Sequence, residues 1–561
     1  MIDAAIGINR TVAAEKIMNE ALHSIRTFSW KGWTLLVLGG LATVVALFYA
    51  EEDWRGWHAW NQFKHKWEAK GEKFDWQSIV PPPAPDDQNF AFSPVWIAES
   101  RNIFMDTPKR AEAWYGNKIY SEEVTKILPL LPVSVSGLVG KNWGNRSAST
   151  PTTSGDWRTG KLTDLKPWQA YYRGFETTNP TAGIPIAPQP QSPAADELLA
   201  LSKYDPVIEQ LRQDSARPHS RFPLGYDDEN KASIVLPDLA AVKRYAQVLQ
   251  LRALAELREG QADKALADVK LALRLVDVNR VEPFLISHLV RIAVLQITLQ
   301  PIYEGLAEHK WSDAQLAGLE TELAKLDFVA DYGLAVRGEM GLQNGLFDYL
   351  RHHSEQLSNM SGSGDNDPPL PGRILTRLIP SGWFYQNQLR CDQMTLELNL
   401  PVADANQQTI SPKAVHRAGA TLQARIRKVT PYNFLARLIY PALGSAAEKF
   451  AYAQSSVYLA RTAIALERYR LAHGNYPESL DALAPQFIEK VPHDVIGGGP
   501  LHYSRTSDQS SQSSDAASGQ FALYSVGWNE TDDSGVVVLG KGSMPSVDTN
   551  QGDWVWRYPQ K

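Results

Sequence analysis

Apolar and polar positions alternate along this chain in several distinct ways, and the change from one pattern to the next outlines its organisation. From Gly32 to Ala50 it reads GWTLLVLGGLATVVALFYA, nineteen residues without a charge. A helix needs roughly 20 apolar residues to cross the hydrocarbon layer, so this run predicts a membrane span. The arm before it is too long for a cleaved signal peptide, and Phe48 stands where a small residue should precede cleavage after Ala50. Beyond the span, EEDWRGWHAWNQFKHKWEAKGEKFDW places Trp54, Trp57, Trp60 and Trp67 mostly at steps of three. That spacing predicts a continuing helix with an aromatic side. The aromatic side suits either a bilayer surface or an adjacent domain.

The helix is expected to stop at Val80, before PPPAPDDQNF, since consecutive prolines fix an extended backbone and remove donors. This stretch reads as a stiff spacer leading away from the membrane. Short apolar runs between 90 and 145, such as ILPLLPVSVSGLVG, suggest a few strands or turns. RSASTPTTSGDW and TTNPTAGIPIAPQPQSPAADE read as exposed linkers flanking a short helix in KLTDLKPWQAYYRGF.

From about Ala194 the pattern becomes helical. Asp238 is placed to cap a helix whose face is Leu239, Val242, Tyr245, Ala246, Leu249 and Ala253. Gly260 turns the chain into a second helix carrying Ala265, Val269, Ala272 and Leu275. The second half of this hairpin resembles a tetratricopeptide pair, whereas Arg252 and Glu256 occupy places usually apolar in that family, and no further copy follows at its spacing. EPFLISHLVRIAVLQITLQPIYEGL reads as a buried core helix because of Glu282, Arg291 and Pro301, with His288 a satisfied core histidine. Ser312 and Gln315 form a capping-box signature, and SNMSGSGDNDPPLPG at 358–372 reads as a flexible break.

Composition narrows the function classes. The 561 residues carry a net charge of -6, which leaves no cationic excess for binding phosphate backbones, so no nucleic-acid partner is expected. The single cysteine, Cys391, can form neither an internal disulfide nor a thiolate cluster and reads as a small buried residue. Of the 17 tryptophans, 12 fall between Trp30 and Trp168, next to the span, where interfacial anchoring would use them. Arg26 and Lys31 precede the span and three acids follow it, which favours an amino terminus in the cytoplasm.

SAAEKFAYAQSSVYLARTAIALERYRLAHGNYP, with ESLDALAPQFIEKVPHDVIGGGPLHYS, FALYSVGWNETDDSGV and a final GDWVW, resembles the globular part of bacterial type II secretion pseudopilins, above all the major pseudopilin. The resemblance covers about 110 residues. It implies a helix broken at Gly474-Asn475, a short second helix at Ser479 to Phe487, and two strands. It also implies a calcium loop at Asn529, Asp532 and Asp533, with Asp553 a more distant candidate, although Asp-Asp-Ser-Gly is equally ordinary turn chemistry. A pseudopilin runs its membrane helix straight into this head. Here Glu448, Lys449, Gln454, Arg461, Glu467 and Arg468 make the equivalent helix amphipathic, to be packed on the chain's own α domain. The whole layout is similar to large uncharacterised single-pass bacterial envelope proteins.

No HExxH pair, phosphate-cradling glycine loop or G-x-S-x-G elbow is present. Arg217, His219, Arg221, Asp227 and Asp228 share a loop that suits ion pairing, or an anionic ligand. The expected fold is therefore mainly α. It comprises a cytoplasmic arm (1–31), a transmembrane helix (32–50), a Trp-rich juxtamembrane region (51–145) and a linker region (146–195). An irregular α-helical domain with a tetratricopeptide-like hairpin (196–440) and a pseudopilin-like α+β domain (441–561) follow. The expected function is a non-catalytic scaffold of the bacterial inner membrane, anchored in the bilayer through 32–50, exposed outside the cytoplasm and binding other envelope proteins. The alternatives are an envelope hydrolase with a site assembled from scattered residues, or an accessory part of a secretion or pilus-like system.

Overall fold

The computed structural model describes residues 30–105, 107–132, 151, 155–178, 180–357, 376–440, 444–505, 520–541 and 546–558. The arm before residue 30, the break read at 358–372 and the connection at 506–519 lie outside them. The described chain is mainly helical. Its first helix, α1 (Trp30–Glu68), runs 39 residues without interruption, from the uncharged segment through the Trp-rich one. It is a candidate membrane span by length and composition, and its apolar half is fully exposed.

Short helices follow, among them α2 (Pro94–Ile103). Of the strands or turns expected over 90–145, the described part of 90–132 forms helices and 3-10 turns, and residues 133–145 lie outside the described residues. The reason is local chemistry: Ser93 and Ser121 accept from Val95 N–H and Val124 N–H and start helices, and prolines occupy first-turn positions. The proline stretch is likewise no free spacer. Arg221 Nε donates to the Pro81 carbonyl (2.8 Å), and Phe90 and His219 exchange backbone bonds with one another's strand-like segment. The Arg217–Asp228 loop thus holds the spacer against the body, Arg217 also pairing with Asp214 at 2.6 Å.

Helices α3 (Lys166–Thr178), α4 (Pro193–Leu201) and α5 (Asp205–Asp214) lead to the central hairpin of α6 (Asp238–Arg258) and α7 (Ala262–Val276). Gly260, at φ +72°, makes the turn. Asp238 does not cap α6: Pro237 stands at that position, and the Asp238 carboxylate accepts instead from Asn279. Of Arg252 and Glu256, out of place in a tetratricopeptide, Glu256 is buried here and Arg252 largely so. Arg252 bonds to Asp268 at 2.8 Å, and Asp268 also takes Arg212 at 2.7 Å.

Next come α8 (Leu285–Ala307), α9 (Asp313–Leu323), α10 (Phe328–His352), α11 (Ser381–Met394), α12 (Pro412–Ile426), α13 (Phe434–Ile439) and α14 (Gly444–His473). α8 is the expected core helix, packed among α6, α7, α10 and α14. Both halves of the Ser312–Gln315 capping box form at α9. α14 is where expectation and fold differ most. From Phe450 to Ala460 it is buried without a break, so it is not an amphipathic helix with a wet side. Gln454 and Arg461 are paired inside: Gln454 Oε1 accepts from Phe328 N–H, and Arg461 pairs with Glu320 at 2.7 Å.

The chain ends in small sheets. β1 (Ala403–Asp404) pairs with β2 (Thr409–Ile410). β3 (His502–Arg505), β4 (Phe521–Ser525) and β7 (Trp554–Trp556) form one antiparallel sheet with β4 central; β5 (Val537–Leu539) pairs with β6 (Val547–Gly552). The two strands read from the sequence are therefore present, and β7 joins them. Leu480–Leu483 is only a 3-10 turn, where a helix through Phe487 was expected. One apolar core runs from Trp76 through α6–α10 and α14 to Trp556, continuous across residue 441.

Candidate functional site

Three places bring polar chemistry together. The first is where α1 meets the body. Gly56 and Gly382 let α1 and α11 cross at backbone contact: a Cβ added to Gly56 would lie 2.6 Å from the Gly382 Cα. Gly382 N–H donates to Asp53 Oδ1 (2.7 Å), so a side chain of α1 caps the start of α11. Glu52 is buried and accepts from Arg55 (2.6 Å), Trp383 Nε1 (3.0 Å) and Tyr432 Oη (3.0 Å). Two of the three acids after the apolar run are therefore parts of a joint. The Trp-rich half divides between the two expected roles. Trp60 and Phe63 are buried with Phe74 and Leu389, while Trp54 and Trp57 are 63% and 50% exposed.

Farther along α1 lies a cleft of about 320 Å³, lined by Lys64, Trp76, Lys231, Asn344, Asp348 and His352 among others. Gly341 and Gly345 keep the α10 wall low, because a Cβ at Gly341 would strike Ile79 and one at Gly345 would strike Lys231. Lys231 Nζ is held by the carbonyls of Tyr226 (2.9 Å) and Asp228 (2.6 Å). His352 Nδ1 donates to the Asp348 carbonyl (2.9 Å), and His353 turns away to stack on Tyr349. At the floor, Asn344 Nδ2 donates to Asp392 (3.1 Å) and Asn344 Oδ1 accepts from Gln388 (3.1 Å). Asp392 is fully buried, and burial raises its carboxyl well above the ordinary range. The cleft offers both signs of charge and aromatic rings, but no Ser, Thr or Cys lines it beside a base. Cys391 is buried and faces the apolar cluster of Phe384 and Leu435.

The second place is the interior. Asn279 Nδ2 donates to both Asp238 and Glu282, Ser287 Oγ donates to Glu282, and His288 bonds to the Glu282 carbonyl (3.0 Å). Arg291 then reaches Asp331 (2.8 Å) and Asp277 (2.9 Å). Burial, then the charge of Asp238, pushes the Glu282 carboxyl well above its ordinary range. Burial and Arg291 lower His288 to about 3, which keeps it neutral. The network lies wholly inside the helical body and joins α6, α8 and α10, as structural polar networks do.

The third place is the carboxyl-terminal region. Glu467 of α14 accepts from Arg470 (2.7 Å), His309 (2.8 Å) and Tyr476 Oη (2.8 Å); Tyr476 Oη also meets Tyr558 Oη at 2.5 Å. Burial works to raise the Glu467 carboxyl, and those donors hold it below its ordinary value. The tyrosine of the Gly-Asn-Tyr-Pro corner thus ties the end of α14 to both the α8–α9 turn and the carboxyl terminus.

The residues read as a calcium loop come together spatially. Asn529 Nδ2 donates to Asp533 (2.8 Å), and Asp532 Oδ1 accepts from Ser534 N–H (2.9 Å) and Tyr524 Oη (3.1 Å). Asp553 accepts from the N–H groups of Asp533 (3.2 Å) and Gly535 (2.6 Å). Asp553 is buried and Asp532 exposed, and their oxygens serve the turn itself. Among the described residues no group of three His, Cys, Asp or Glu side chains stands at metal-holding distance. Sequence reasoning missed the α1–α11 joint, whose signal was present only as two isolated glycines in unrelated segments. Compared with protein-family profiles, curated proteins and solved structures, the chain matches none.

Proposed function

We propose that this chain is a non-catalytic scaffold of the bacterial inner membrane, held by one span, with its amino terminus in the cytoplasm and its body presenting binding surfaces to other envelope proteins outside. The observation that carries the reading is the α1–α11 joint. A tethered enzyme needs only a flexible leash, whereas here the span continues as the same helix into a capped, close-packed contact with the body. Such a joint fixes the orientation of the body on its anchor, which matters when surfaces must meet partners in one geometry. The helix, Gly474 corner and β3–β4 hairpin support a pseudopilin-like origin for the carboxyl-terminal region, and an accessory role beside a pilus-like assembly is its narrower form.

The test uses the full chain in native membranes, with photo-crosslinking side chains placed one at a time at exposed Lys264 and Lys413 and at His352 in the cleft. The expected result is a discrete adduct with an envelope protein, weakened when Gly56→Val loosens the joint while the chain stays membrane-bound. Absence of adducts from every position would overturn the scaffold reading. So would hydrolysis of an ester or peptide panel that is abolished by His352→Ala. A reporter active only outside the cytoplasm, fused after Lys561, is expected to be active; an inactive fusion reverses the assigned topology.

A further inference from the structure

We propose that the body does not merely hang from its anchor but rests on the membrane through a basic and apolar collar that binds a negatively charged bilayer surface. Tryptophans mark the apolar run at both ends, Trp30 and Trp33 at its start and Trp54 and Trp57 after it, all exposed. Trp33 and Trp54 are separated by about 32 Å of helix at 1.5 Å per residue, against a hydrocarbon layer of about 30 Å. That match sets the height of the bilayer on α1, with Trp54 and Trp57 in the headgroup layer.

Two loops of the body are pinned beside this part of α1, from the last turn of the apolar run to the turn after it. Tyr49 Oη donates to the Leu378 carbonyl (2.6 Å), which puts Leu378, 58% exposed, level with the last turn of the span. Arg55 Nη2 donates to Tyr432 Oη (2.7 Å), five residues beyond Ala50 and so about 8 Å of helix rise above it. The loop entering Tyr432 reads Arg427-Lys428-Val429-Thr430-Pro431, with Arg427 and Lys428 exposed and Val429 63% exposed. Neither Arg427 nor Lys428 takes part in an ion pair among the described residues, unlike neighbouring Arg425, which faces Glu397. Arg377, beside Leu378, lies 3.8 Å from Glu355 and stays mostly exposed. Glu51, exposed just beyond the apolar run, lies 3.6 Å from Arg55.

Exposed apolar tips flanked by exposed cations, two of them outside any ion pair among the described residues, and held at headgroup height by a spanning helix, have the composition of a surface that binds anionic lipid. Its occupant is the bilayer in which α1 sits, because the collar is continuous with that helix. An isolated spanning helix tilts freely over tens of degrees, and the collar selects the tilt that brings its own side down. This proposal rests on the anchored reading of α1.

The experiment places a fluorophore on Val429→Cys in the full chain, Cys391 being buried, and reconstitutes it into vesicles carrying headgroup-quencher lipid. One set of vesicles is zwitterionic, and the other contains phosphatidylglycerol. Quenching is expected to be at least about twofold stronger in the anionic vesicles, since each basic group near such a surface is worth about fivefold in the docking equilibrium. It should fall to the zwitterionic level in Arg427→Glu with Lys428→Glu and be insensitive to added inorganic phosphate. Equal quenching in both vesicles, or persistence after charge reversal, overturns the collar. Competition by phosphate would show an anion site in place of a lipid surface and overturns it too. Alkaline extraction of the same samples reads the anchor separately: retention with no lipid contact overturns docking alone, while release of the chain overturns the anchor.

Discussion

Replacing Gly56 by alanine tests the joint on which the functional reading depends. The new Cβ would lie 2.6 Å from the Gly382 Cα and closer still to the Gly382 carbonyl oxygen. Ordinary heavy-atom contacts are about 3.5–4.0 Å, so α1 and α11 must move apart by about 1 Å or more. Overpacking of this kind costs about 1–3 kcal/mol. Separation also stretches the Asp53 bond to Gly382 N–H, a charged hydrogen bond worth about 1.5–3 kcal/mol. Alanine returns about 1 kcal/mol of helix propensity. The expected net loss is therefore about 1.5–5 kcal/mol, concentrated on α11 and the segment around Tyr432. Hydrogen exchange of the detergent-solubilised full chain should show faster exchange across Ser381–Met394, with lower denaturant resistance. Gly39→Ala is the matched control, since nothing lies within 4 Å of a Cβ there. Unfolding within about 0.5 kcal/mol of the wild type, with α11 exchange unchanged, would refute the close-crossing argument.

Other expectations follow from single sites. Gly419 sits exposed inside α12 with nothing within 4 Å of an added Cβ, so Gly419→Ala should stabilise the chain by about 0.5–1 kcal/mol in denaturant unfolding; a loss would contradict the open geometry. Burial, then the charge of Asp268, raises Glu256 to about 8, so the folded chain holds a proton that the unfolded chain releases near 4.3. That stabilisation is complete below the lower value and is lost as pH climbs to the upper one, and Glu256→Gln should flatten the decline between about pH 4 and about pH 8; an unchanged slope refutes the assignment. Tyr476→Phe removes a donor from buried Glu467 and should cost about 1.5–3 kcal/mol in thermal or denaturant unfolding, with an unaltered transition counting against the tie. Asp553→Asn should loosen the 527–535 turn equally with and without calcium, by hydrogen exchange, because both oxygens hold N–H groups; a calcium-induced protection that vanishes in the variant would instead make the loop a cation site.

What could be read in advance depended on whether the deciding interaction was local. The uncharged run, the α6–α7 hairpin with Gly260 and the Ser312 capping box rest on periodicity or on neighbours a few residues apart, and each formed as expected. The failures share the opposite cause. The proline stretch looked like a spacer because its partner, Arg221, lies 140 positions away. Asp238 looked like a cap because Asn279, which claims its carboxylate, is 41 positions on. α14 looked amphipathic because its charges are in sequence the same as those of a wet face; only the placement of Glu320 and His309 opposite them makes burial affordable. The cleft and the α1–α11 joint were invisible for the same reason, since Gly56 and Gly382 gain meaning only when the helices carrying them cross.

The acids after the span show how one segment serves two stages without conflict. On the anchored reading proposed above, the unfolded chain would present Glu51, Glu52 and Asp53 beside the apolar run during insertion, when orientation is decided by charges in short flanking segments. Arg427 and Lys428 lie more than 370 positions beyond Ala50 in sequence, too far to count in that decision, because long segments translocate largely regardless of charge. After folding the balance at the same height changes. Glu52 disappears beneath Arg55, Trp383 and Tyr432, and Asp53 becomes the cap of α11. Arg427 and Lys428 then arrive beside the helix through the Arg55–Tyr432 contact. An outward-facing body with a basic underside is therefore compatible with an amino terminus in the cytoplasm, since the collar comes into existence only when α1 and α11 have packed. Loosening the joint should consequently weaken lipid contact at Val429 even with Arg427 and Lys428 intact. In the vesicle assay, Gly56→Val should lower the anionic-lipid quenching signal while alkaline extraction still leaves the chain in the membrane. Undiminished quenching in that variant would separate the collar from the joint and refute the order of assembly argued here.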